Sequence, residues 1–75
     1  MNIEAYLRQR KKLKDAPPHV ILQEKRGPQL AEAEAEADYE TTFKDWLRWE
    51  ILGSRWQNDQ HDTIILEVGA PLWYR

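Results

Sequence analysis

Two places in this chain collect side chains able to do chemistry. In the run Asn58, Asp59, Gln60, His61, Asp62, two carboxylates stand beside an imidazole, and these are ligand types for zinc or a harder cation. The spacing fits no metal-binding loop, and polar residues in such a cluster ordinarily make a turn, so no metal is expected there. His19 is a candidate base, with hydroxyls at Thr41, Thr42, Ser54 and Thr63 elsewhere in the chain. Nucleophile, base and orienting group must surround a pocket, which so short a chain can hardly enclose. Gly27, Gly53 and Gly69 are isolated and each falls at an element boundary, so no phosphate-cradling loop forms. The expectation is a non-enzyme without a cofactor.

Charge is the second resource. The formal net charge is −2, but residues 1–26 hold seven Lys or Arg against three acids, whereas residues 27–75 hold four against ten. Arg8, Arg10, Lys11, Lys12 and Lys14 form a basic patch able to neutralise phosphates. Glu32, Glu36 and Glu40, four apart, form an acidic strip along one face if the region is helical. The bland reading of this asymmetry is that the two halves dock on one another; the sharper one is that each meets its own partner.

Aromatic residues are the third. The stretch WLRWEILGSRW, residues 46–56, holds three of the four tryptophans. Wound as a helix from Tyr39 to Leu52 with Trp46 at zero, Tyr39, Phe43, Leu47 and Ile51 fall at roughly 20°, 60°, 100° and 140°, a core-facing stripe. Trp49 and Leu52 fall at roughly 300° and 240°, on the far side, and require a second cover. That cover is another part of the chain, a second copy, or a partner anchored on Trp49 beside Arg48. Trp56 reads as a plug at one end of the core. Trp73 and Tyr74, adjacent in a strand, point to opposite faces, so one of them is available to a partner.

These residues are positioned by elements with readable signals. Residues 2–14 form an amphipathic helix that starts at an Asn cap and ends at Pro17 and Pro18. Residues 19–26 supply a short strand through Val20, Ile21 and Leu22, closed by Gly27 and Pro28. Residues 29–38, QLAEAEAEAD, alternate like a strand, yet alanine and glutamate are good helix formers, so helix is predicted. Residues 42–52 form the clearest helix, separate from the preceding one or continuous with it, and Gly53 terminates it. Residues 54–62 read as loop, and residues 63–68 and 72–75 as a terminal hairpin.

The whole is a single α+β domain, residues 1–75, with two or three helices packed on a small antiparallel sheet in the order α-β-α-(α)-β-β. At this length only about 60% of the unfolded surface is buried, so dense aromatic packing, a partner or oligomerisation must help. The absence of cysteine excludes disulfides and thiolate chemistry and points to a reducing compartment such as the cytoplasm. No apolar run of roughly 18 residues is present, so no membrane span or signal peptide is expected. The predicted element order resembles the winged-helix family of DNA-binding domains over nearly the whole chain, which implies a small DNA-binding regulator. It departs where recognition occurs, because residues 42–52 carry Asp45 and Glu50 against Lys44 and Arg48. In size and composition the chain is also similar to inhibitors and adaptors of phages and mobile elements, anti-CRISPR proteins included. The expectation is a small non-catalytic protein-interaction module, binding another protein or itself through Arg48, Trp49, Leu52, Trp73 and Tyr74.

Overall fold

The computed structural model describes residues 1–13, 16–34, 38–60 and 62–71. They form α1 (Ile3–Arg10), β1 (His19–Glu24), β2 (Gln29–Ala33), α2 (Tyr39–Thr42), a 3-10 turn (Lys44–Trp46), β3 (Glu50–Trp56) and β4 (Thr63–Gly69). The class is α+β, with one four-stranded mixed sheet in the order β2-β1-β4-β3. The central pair, β1 and β4, is parallel; both outer pairings are antiparallel. Val20, Leu22, Leu66 and Val68 face the helices, where Ile3, Leu7, Ala33, Phe43 and Trp49 complete the core.

The central strands are runs of Val, Ile and Leu, the pattern of a parallel pair covered on both faces. On the face away from the helices Ile21 and Ile65 are still buried, roofed by long side chains. There Arg55 donates from Nη2 to the Gln23 Oε1 at 3.0 Å and from Nη1 to the Glu67 Oε1 at 3.2 Å, bridging three strands. At the start of the parallel pair, the buried Thr63 hydroxyl meets the Asp62 carboxylate at 3.2 Å and His19 Nδ1 at 3.4 Å.

One predicted helix proves to begin as a strand, and another breaks into a turn and a strand. Residues 29–33 form β2, with Ala33 buried against the core and Glu32 exposed, so the alternation reported the true period. Helix propensity is worth only tenths of a kcal/mol per residue, and β1's apolar run needs a partner on its second edge. The small Ala31 and Ala33 also let α2 sit close over that strand.

The predicted helix over 42–52 breaks at Phe43, whose φ of −103° and ψ of 16° leave the helical region. Phe43 is completely enclosed, and the chain turns to place both it and Trp49 in the same core. The carbonyls of Leu47 and Trp49, which a continuing helix would give to residues four ahead, accept instead from the Glu4 and Ile3 amides at 2.9 and 3.0 Å. Those amides are the orphan donors of α1's first turn, so one segment's helix is forfeited to complete another's. Asn2 Oδ1 adds a cap on the Ala5 amide at 2.8 Å.

Residues 54–56, expected in a loop, extend β3 instead, and β3 pairs antiparallel with β4; the expected hairpin strand was residues 72–75. Those last residues lie outside the described ones. The observed order, α-β-β-α-β-β with a 3-10 turn before β3, replaces a helix of the winged-helix pattern with a strand and leaves no helix at 42–52 to enter a groove. The sheet is mixed, not antiparallel as expected.

Candidate protein-binding edge

β3 starts under cover and ends in the open. Its first residues are paired on the outer side by the chain's own beginning, since Met1 O accepts from the Ile51 amide at 2.9 Å and Asn2 bridges Glu50. Beyond that point no described strand lies along its outer edge. The register against β4 shifts between Ile51 and Gly53, leaving Leu52 as the extra residue of a bulge. Leu52 folds over Gly69: a β-carbon placed on that glycine would lie 2.9 Å from Leu52 Cδ1, so a larger residue there would push the Leu52 side chain aside. Gly69 shares a face with Glu67 and Ile65, the face away from the helices. Trp56 lies opposite Ile64, which packs toward the core on the helical face. Leu52 is 54% exposed and Trp56 43% exposed, one on each face of the same edge strand.

The expected site residues scatter. Trp49 is only 9% exposed and belongs to the core, so it is no ready anchor for a partner. Its place is fixed by the turn after Trp46, whose carbonyl accepts from the Trp49 amide at 2.9 Å. Arg48 is exposed and lines a shallow cleft of about 320 Å³ with Asn2, Glu4, Glu50 and Pro71. Leu52 is exposed as expected, though on a strand. Trp73 and Tyr74 lie outside the described residues. Trp56, read as a core plug, is instead a surface residue. The run Glu50 to Trp56, with Ile51 and Trp56 at strand-favouring positions, held that signal, hidden by a helical period extended too far.

Among the described residues, two of the five in the basic patch are ion-paired within the chain. Arg8 pairs with Glu4 at 3.6 Å and Lys11 with Glu40 at 2.7 Å. Arg10 turns inward, its guanidinium carbon 4.3 Å from the Tyr39 ring centre and its Nη2 donating to the Pro17 carbonyl at 2.8 Å. Lys12 is exposed and forms no ion pair among the described residues; Lys14 lies outside them. Burial raises the Tyr6 phenol above its ordinary value of 10.0, opposed by the nearby Arg10 charge. The acidic strip is not a helical line. Glu32 is on β2, Glu40 is on α2 paired with Lys11, and Glu36 is outside the described residues.

The chemistry-bearing residues do not converge on an open pocket. Thr63 is buried, and the Asp62 carboxylate meets its hydroxyl rather than orienting the His19 imidazole as a triad requires. The His19 amide donates to the Asp62 carbonyl at 3.1 Å, so this group ties the starts of β1 and β4. Among the described residues no three metal-ligating side chains gather, and His61 lies outside them. Nor is any helix among them long and apolar enough to cross a membrane.

The architecture is therefore that of a two-layer α+β domain in which β3 is an exposed, bulged edge strand. Comparison with protein-family models, curated proteins and solved structures finds no match.

Proposed function

We propose that this chain is a non-catalytic interaction module, an inhibitor or adaptor, that receives another protein along the outer edge of β3. The observation that carries this reading is the pair of large apolar side chains, Leu52 and Trp56, exposed on opposite faces of one edge strand. An added strand sends its own side chains alternately to both faces, so each of these residues would cover one row of them. An edge strand presents backbone donors and acceptors ready for pairing, and proteins usually blunt such an edge with charge. Here the residues from Leu52 to Trp56 include a single charge, Arg55, and it is turned onto Gln23 and Glu67. A second copy of the chain would use the same edge. A DNA-binding role draws less support, because the basic residues of α1 are mostly engaged by neighbouring side chains and carbonyls. The lack of cysteine suits work in the cytoplasm.

The test joins sedimentation of the purified chain to capture of partners by wild type, by Leu52→Glu with Trp56→Glu, and by a control altered on the opposite edge at Glu32 and Glu34. The proposal expects self-association or a captured partner that survives the control changes and is lost with the β3 changes. Association unaffected by the β3 changes overturns it.

A further inference from the structure

The C-terminal half of α1, the chain after it and the start of α2 enclose a cavity of about 430 Å³. That is within the range of about 300–1,000 Å³ in which small-molecule sites fall. Its apolar wall is Leu7, Leu13, Ala16 and the Tyr39 ring, with Leu13 61% exposed to solvent although apolar. Its polar wall is Arg10 and Lys11 with Asp38 and Glu40.

The hydrogen-bond accounting of that polar wall leaves one donor over. Asp38 is occupied as the cap of α2, accepting from the Thr41 hydroxyl at 2.7 Å and the Thr41 amide at 3.3 Å; these bonds hold its carboxyl below the usual range. Glu40 accepts from Lys11 at 2.7 Å. Arg10 uses Nη2 twice, on the Pro17 carbonyl at 2.8 Å and the Tyr39 hydroxyl at 3.2 Å. Tyr39 in turn donates to the Pro18 carbonyl at 2.6 Å. Arg10 Nη1 is buried with no acceptor in hydrogen-bonding geometry, although the Tyr6 phenol lies close to the same guanidinium. A guanidinium never sheds its proton in a protein, so this donor stays charged and unsatisfied until an acceptor reaches it.

We propose that this cavity binds a small organic carboxylate with an apolar body. The body would lie against Leu7, Leu13, Ala16 and the Tyr39 ring, and the carboxylate would meet the Arg10 guanidinium and draw its buried Nη1 toward the cavity. The site is independent of the β3 edge and does not rest on the protein-binding reading.

Hydrocinnamate is the probe, with hydrocinnamyl alcohol as its uncharged counterpart, each titrated at millimolar concentration into isotope-labelled protein and followed by amide-resolved NMR. Saturating shifts are expected at Leu7, Arg10, Lys11 and Tyr39 with the carboxylate. The alcohol should bind at least about tenfold more weakly, the size of one hydrogen bond to a charged group. Ala16→Phe, which fills the cavity while leaving Arg10 in place, should abolish the carboxylate's effect in a protein whose spectrum otherwise stays folded. Arg10→Lys should weaken it by about tenfold. The absence of saturable shifts, equal affinity for acid and alcohol, or undiminished binding by folded Ala16→Phe overturns the proposal.

Discussion

Trp49 and Trp56 flank the same strand and meet opposite fates. Trp49, just before β3, is 9% exposed beneath the first turn of α1, whereas Trp56, at the strand's end, is 43% exposed. What separates them is the partner on the outer side of the strand. At Trp49 the backbone is held by α1's own amides and by Met1 and Asn2. At Trp56 no described strand pairs with the outer edge. The lesson is that in so small a domain a tryptophan is enclosed only where a second element is tied to the backbone beside it. Composition alone cannot distinguish an indole that stabilises from one that docks.

The difference is broken most directly by truncation at the closed end. Trp49→Ala is expected to destabilise the fold by about 3–5 kcal/mol, the range for deleting a large core aromatic, measured as a shift of the urea unfolding midpoint. A loss below about 1 kcal/mol would mean that the closed end is as dispensable as the open one. Tyr39→Phe tests the latch beneath the same helix layer. It removes the donor to the Pro18 carbonyl and the acceptor for Arg10, and a cost of about 1–2 kcal/mol is expected in the same assay.

At the open end, Leu52→Glu with Trp56→Glu is expected to change stability by less than about 1 kcal/mol while removing association, read from unfolding curves and sedimentation together. Unfolding of this variant would place Trp56 among the structural residues and erase the contrast. A pH test sharpens the description of the closed side. The folded Tyr6 phenol titrates above its ordinary value of 10.0, so folding favours its protonated form. Its contribution is full below pH 10.0 and is lost as pH rises through the folded value. Tyr6→Phe should flatten this alkaline decline in stability, seen by comparing unfolding midpoints on either side of that range.

Much of the frame is legible in the sequence. The Asn2 cap, the amphipathic helix that follows it, the Val20 to Leu22 strand and the strand from Thr63 all report local physics, and local physics is what a sequence displays. Residues 29–33 were not legible as a strand, because their propensity and their alternation disagree and only the demand of β1's second edge decides between them. Residues 47–51 were hidden for a similar reason: the donors that claim the carbonyls of Leu47 and Trp49 come from Ile3 and Glu4, more than forty positions away in the chain. The candidate edge inherits that blindness. Leu52 stands out in the sequence only through a helical phase that the fold does not adopt, and Trp56 reads as internal because nothing local marks where a sheet ends.

The smallest expected effect concerns the charges that first suggested two oppositely directed surfaces. Lys11 and Glu40 join α1 to α2 at 2.7 Å, with side chains 66% and 56% exposed. At that exposure water screens most of the attraction, and ordering two long side chains offsets part of what remains. A double-mutant cycle with Lys11→Met and Glu40→Gln should therefore give a coupling of about 0.2–1 kcal/mol, falling as salt is added. A coupling well above that range and insensitive to salt would mean that the pair is effectively desolvated. The closed region around Trp49 would then extend to the far end of α1, and the contrast with the β3 edge would become one between an open strand and a helix layer sealed along its length.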